Sequence, residues 1–271
     1  MDPTAPEVPG AARPADPATE RLLTRFVDGL PDLVPLVAVW VHGSIAEGTD
    51  YRPGRSDLDL IAVVERPCTQ QEEQRLTGLH RRLERDEPLA GKLHCSYLPT
   101  AELADPGREH PTWAHRELYR RTVSPVTRAE LHRFGQVRYG RPVGGLLPEV
   151  TDRQLREYVA GDIRDNLLRL CDDERLFRGD GWVDFGMLAL PRAAVTLRDG
   201  RLITKAEAFG VLAELEAPAE VVADVRRRRY GTGNDAGATA VSGGWRARRA
   251  RLTVEFLRSR GRELVAAYDG G

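Results

Sequence analysis

The chain has 271 residues, 41% of them hydrophobic and 30% charged, with a formal net charge of -1. That is enough apolar material for a core in each of two modest domains, and the balanced charge leaves no global field pulling the protein toward nucleic acid or a membrane. Cys68, Cys95 and Cys171 show neither a paired nor a zinc spacing, and the six histidines offer no matching ligand cluster. No apolar run approaches the roughly 20 residues of a membrane span, and the start has no basic segment leading into an apolar one, so a reducing, cytoplasmic setting is expected.

Residues 1–16 (MDPTAPEVPGAARPAD) hold almost nothing that can be buried and are expected to form a disordered tail. From residue 18, Leu22, Leu23, Phe26, Val27 and Leu30 recur at helical spacing until Pro31. Strands are predicted at residues 37–41 (VAVWV) and 58–64 (LDLIAVV). A helical stretch over 71–85 then leads to a third strand at 92–98 (KLHCSYL). Strands with intervening helices predict an α+β domain over 17–147.

The remainder, 148–271, reads as an all-α bundle. Thr151 and Gln154 form a capping box ahead of Leu155, Tyr158, Val159, Ile163, Leu167, Leu168 and Leu170. Further helices are predicted over 183–197, 204–215, 218–229 and 245–268. Residues 231–244 (GTGNDAGATAVSGG) read as a connector; they carry G-x-G without the rest of a dinucleotide fingerprint and follow no strand.

The stretch 42–60, HGSIAEGTDYRPGRSDLDL, carries the chemistry. A strand delivers the chain to Gly43, where the missing Cβ permits close backbone approach to a ligand. Ser44 and Glu47 form an S-x-x-E pair, predicting a short helix that starts at Ser44, ends near Gly48 and points backbone N–H groups at an anion. Asp57 and Asp59 stand two apart at the head of an apolar strand, so both project from one face while Leu58 and Leu60 face the other. Two like charges at the edge of a core call for a cation, and oxygen-only ligands that leave room for phosphates suit Mg²⁺. A metal beside a phosphate cradle implies phosphoryl or nucleotidyl transfer.

These residues resemble the signature of the polymerase-beta-like nucleotidyltransferase superfamily: G-S, a variable loop, then D-x-D. Within it the chain is most similar to the aminoglycoside (streptomycin and spectinomycin) adenylyltransferases. YG followed by LLPEVTD at 139–152 resembles their domain junction, and FGMLALPRAAVTLRDGRLITKAEA at 185–208 their central bundle segment. The resemblance implies a nucleotidyltransferase fold with a mixed sheet and flanking helices, followed by a helical bundle. It also implies ATP as co-substrate, magnesium on Asp57 and Asp59, and a triphosphate oxygen on Ser44. AMP would pass to a hydroxyl of a small acceptor, an aminoglycoside-type antibiotic, as in antibiotic resistance. Lys205 and Arg192 would be phosphate contacts. Thr204 and Glu207 independently form a capping box that puts Lys205 in a helical first turn, where ammonium and dipole both attract an anion. Pro191 departs from the family segment and is expected to kink the turn bearing Arg192.

The resemblance also implies a third carboxylate on a neighbouring strand, serving as base and metal ligand. KLHCSYL offers His94 there. Three readings stay open: His94 is the base, Glu87 or Glu102 replaces the missing acid, or the protein binds NTP as a regulator without turning it over. On the acceptor side, the acidic run over 162–184, including Asp184, would attract a polycation, or simply pair with the arginines interleaved in it. Trp113 resembles an aromatic residue flanking the drug, with buried packing as its alternative. A metabolite or a protein side chain remains a second acceptor class. The basic runs at 226–229 and 246–251 have no aromatic platform beside them and are expected to neutralise acidic neighbours rather than bind nucleic acid.

Overall fold

The structure is a computed structural model that describes residues 16–48, 50–231 and 243–270. Nearly all of the N-terminal tail, the central part of the 231–244 connector and Thr49 of the signature loop lie outside the described residues. Asp16, placed in the tail by its composition, is instead the N-cap of the first helix, its carboxylate accepting from the Ala18 and Thr19 amides. The chain divides into two compact units, residues 1–150 and 151–271.

In the first unit, α1 (Pro17–Asp28) precedes β1 (Leu36–His42), the short α2 (Gly43–Glu47) and β2 (Leu58–Val64). Next come α3 (Gln70–Asp86), a 3-10 turn (Pro88–Lys92) and β3 (Leu93–Pro99). A hairpin of β4 (Glu109–Ala114) and β5 (Glu117–Thr122), then α4 (Pro125–Phe134) and β6 (Gln136–Gly140), complete it. The sheet order is β5-β4-β3-β2-β1-β6. β2 and β3 run parallel, joined through α3, and every other pair is antiparallel, so the sheet is mixed.

Alternation along the strands sorts the two faces. Val39 and Val41, Leu58 and Leu60, and Leu93, Cys95 and Tyr97 pack with Leu22, Leu23 and Phe26 of α1 and Leu76, Leu79 and Leu83 of α3. The opposite face carries Ala38, Trp40, Ile61, Val63 and Leu98, packed with Leu131 of α4. Each of these fully buried large side chains is worth about 1.5–3 kcal/mol in area removed from water. Trp40 anchors the second face further by donating its indole N–H to the Arg141 carbonyl at 2.8 Å.

The second unit is helical. α5 (Asp152–Asp162) passes through a π-turn (Ile163–Leu167) into α6 (Leu168–Leu170), followed by α7 (Asp180–Asp199), α8 (Lys205–Glu214), α9 (Ala219–Tyr230) and α10 (Gly243–Asp269). The capping boxes at Thr151/Gln154 and Thr204/Glu207 both form. α7 runs on through Pro191 to Asp199. Its core includes Phe177, Met187, Leu190, Phe209, Leu212, Val225, Val254 and Leu257. Beside that core lies an ionic cluster: the wholly buried Arg249 reaches Asp224 at 2.9 Å, Asp180 at 2.7 Å and the Arg178 carbonyl at 3.1 Å. No described helix is long and apolar enough to cross a membrane.

Candidate active site

Register brings the signature residues together. His42 of β1 is the cross-strand partner of Asp59 of β2, and Asp59 is the partner of His94 of β3. The row His42, Asp59, His94 therefore crosses three neighbouring strands on the face that carries Trp40 and Ile61. Asp57 lies one residue before β2, in the segment that leads into Asp59.

Gly43, the residue after β1, has φ +68°, a left-handed conformation that L side chains rarely take. A Cβ placed there would sit 2.9 Å from Asp59 Oδ2, so the glycine lets the carboxylate lie directly against the backbone that leads into Ser44. The helix after it begins at Gly43 rather than Ser44. Its N-cap is His42, with no side-chain capping bond, so the expected Ser44/Glu47 box does not form. The reason is the left-handed Gly43: it reverses the chain one residue early and puts Ser44 inside the first turn, its hydroxyl uninvolved in capping.

Asp57 and Asp59 are partly open, with side chains 41% and 28% exposed. Lys92 Nζ lies 3.3 Å from Asp57 Oδ1, and His94 Nδ1 3.5 Å from Asp59 Oδ1. The Lys92 ammonium thus lies against Asp57, and an imidazole against Asp59. A hard divalent ion that keeps several waters and binds phosphate oxygens needs only one or two protein carboxylates, and this pair fits it. Among the described residues no group of three or more His, Cys, Asp or Glu is placed to hold a metal ion.

His94 is buried, and its ring meets that of His115 edge to face at 5.0 Å. Neither acid considered as its replacement stands beside it. Glu87 binds Arg25 of α1 at 2.8 Å, and α1 covers the opposite face of the sheet. Glu102 follows the C-terminal end of β3, whereas His94 is near its start, and it lies against His110 and Arg108. The acid that does reach this row is one the sequence did not disclose. Glu130 of α4 places Oε2 3.2 Å from His42 Nδ1, and both side chains are buried. His42 had a signal, its alternation with Ala38 and Trp40; Glu130 had none, because nothing in the sequence says which helix turns its acid onto this strand.

For two acceptor-side residues the structure shows the alternative that the sequence left open. Trp113 is 1% exposed and stacks on His80 of α3 at 4.7 Å, packed beneath that helix, so it has no surface to offer a drug. Asp184 is bound by Arg228 at 2.5 Å; burial raises its pKa above the ordinary carboxylate range, with Arg228 opposing. Other acids of the run also pair with arginines: Asp165 with Arg169, Asp172 with Arg258, Asp173 with Arg175, Asp180 with Arg249. The basic runs supply several of those partners and others, Arg227 and Arg228 on Asp224 and Arg248 on Glu220.

In the helical unit, Lys205 opens α8 as expected, and Arg192 Nε donates to the Ile203 carbonyl at 3.1 Å, holding Arg192 beside the segment that leads into Thr204 and Lys205. The thiols are unsuited to nucleophilic work. Burial pushes Cys68 and Cys171 each up to about 11 and raises Cys95 further.

No protein-family model matches the chain, and no curated protein matches it in sequence. Solved structures do. The crystal structure of spectinomycin adenyltransferase AAD(9) from Enterococcus faecialis, with ATP and spectinomycin, superimposes with a TM-score of 0.68 at 17% identity, covering 90% of this chain and 99% of that one. The chain thus shares the fold of that structure, with a mixed sheet and flanking helices followed by a helical part.

Proposed function

We infer that the protein is a metal-dependent nucleotidyltransferase that moves AMP from ATP to a hydroxyl of a small cationic acceptor of the aminoglycoside or aminocyclitol class. The observation that carries this reading is the contact between Gly43 and Asp59, which puts one carboxylate of the D-x-D motif against the turn bearing Ser44. The fold shared with an adenyltransferase crystallised with ATP and spectinomycin supports the choice of nucleotide and acceptor.

In this reading Asp57 and Asp59 would hold magnesium, which would supply charge neutralisation for the triphosphate and the departing pyrophosphate. Ser44 donates its hydroxyl to a triphosphate oxygen. His94 is the base. With Nδ1 turned to Asp59, its Nε2 is the nitrogen available to accept the acceptor's hydroxyl proton. The acceptor oxygen then bonds to the α-phosphorus, and the bond to the β-phosphate oxygen breaks, releasing pyrophosphate.

The experiment is incubation of the purified chain with labelled ATP, Mg²⁺ and a panel of aminoglycosides and aminocyclitols. Labelled drug with stoichiometric pyrophosphate supports the reading. Label on another acceptor keeps the chemistry and changes the substrate; tight ATP binding with no pyrophosphate release makes the protein a nucleotide-binding regulator.

A further inference from the structure

The β4–β5 hairpin turns on two residues, His115 and Arg116, and both have positive φ, 53° and 68°. Two-residue hairpin loops with both centres in this region favour Asn-Gly or Gly-Gly, because a Cβ there crowds the neighbouring carbonyl. A histidine and an arginine stand here instead. The backbone accepts an unfavourable conformation while keeping two long side chains at the tip, a combination that collects at functional sites.

Register shows what the tip reaches. Cys95 of β3 pairs with Trp113 of β4, so the loop two residues on lies beside the start of β3. There the exposed His115 sets its ring against His94, the planes 64° apart. Arg116 ties the tip down beside it, with Nε 3.9 Å from Glu84 Oε2 and Nη2 close over Gly91, 3.3 Å from where a Cβ on that glycine would sit. His94 in turn faces Asp59. A line of side chains thus runs from the strand carboxylate to the hairpin tip.

We propose that His115 is a positioning residue of the nucleotidyl-transfer site: its ring fixes the His94 imidazole against Asp59, and the hairpin holds positive φ in order to place it. An edge-to-face neighbour limits rotation of the imidazole about its Cβ–Cγ bond, keeping Nδ1 toward Asp59 and Nε2 outward. The catalytic consequence rests on the function proposed above; the positioning itself does not.

Two variants separate strain from ring contact. His115→Asn suits the left-handed turn and removes the ring, so its melting temperature rises by a few degrees while kcat falls about tenfold and KM for ATP stays within twofold. His115→Phe keeps a ring against His94 and restores kcat without any gain in melting temperature. Wild-type kcat in His115→Asn, or failure of His115→Phe to restore it, overturns the proposal. Side-chain ¹⁵N spectra of histidine-labelled protein test it without turnover. The His94 ring gives one sharp tautomer pattern in the wild type and in His115→Phe, and an exchange-averaged one in His115→Asn. An unchanged His94 pattern in His115→Asn refutes the positioning whatever the protein catalyses. A changed pattern in a chain that transfers nothing retains it and removes the proposed reaction.

Discussion

Replacing Gly43 by alanine tests the geometry at the heart of the site, and a second glycine supplies the control. Gly43 has φ +68°, where an L residue pays roughly 1–2 kcal/mol, and the new Cβ would stand 2.9 Å from Asp59 Oδ2. The carboxylate is the movable partner, so it swings away. Gly54, in the loop before Asp57, has φ +75°, but a Cβ there meets only Leu89 Cδ2 at 3.8 Å. Both alanine variants share the backbone cost and should melt lower by about 2–8 °C. Only Gly43→Ala displaces a carboxylate. A misplacement of about 1 Å at a reacting centre costs on the order of 10²-fold, so its pyrophosphate release with drug and ATP should fall by that much, while Gly54→Ala stays within a few-fold. Equal turnover in the two variants refutes the role given to the Gly43–Asp59 contact.

If the proposed metal role holds, Asp57→Asn and Asp59→Asn should each lower turnover by several orders of magnitude with a melting temperature near that of the wild type, since both side chains are partly open; near-normal steady-state rates exclude the metal assignment. His80 is enclosed by Phe26, Trp113 and the Tyr97 hydroxyl, and burial, aided by the charge of His94, depresses its pKa to about 3. A depressed histidine contributes stability that is present above about pH 6.5 and lost as pH falls toward 3, on the order of a few kcal/mol. Urea melts across that window should show a slope that His80→Leu flattens, and an unchanged slope rejects the assignment. In the helical unit, Asp224→Asn strips a buried carboxylate from Arg249 and should cost about 3–5 kcal/mol by chemical denaturation; a loss under 1 kcal/mol means the cluster is already compensated without it.

What could be read from the residues depended on whether the information was local. β2 is a continuous run of branched and apolar side chains, LDLIAVV, and its bounds coincide with the expectation. The capping boxes at Thr151 and Thr204 are local reciprocal bonds and form as read. The β4–β5 hairpin went unseen because His115 and Arg116 replace the usual turn residues, and because β5 (ELYRRT) is an exposed edge strand with no apolar alternation. β6 (QVRYG) hides for the same reason. In the site, Asp59 was legible because it heads the apolar run of β2, and Gly43 because a tight turn requires it. Glu130 was invisible, since its meeting with His42 spans 88 residues and depends on how α4 packs. Trp113 and Asp184 were open questions for the same cause: a sequence shows an aromatic or an acid, and only packing shows that one stacks under α3 and the other belongs to Arg228.

The most direct measurement is a crystal structure of the chain with Mg²⁺ and a non-hydrolysable ATP analogue. The account predicts one divalent ion bound by the carboxylates of both Asp57 and Asp59 and by triphosphate oxygens, with Ser44 on the same triphosphate. Nucleotide bound elsewhere, or bound with no ion on those two carboxylates, contradicts it.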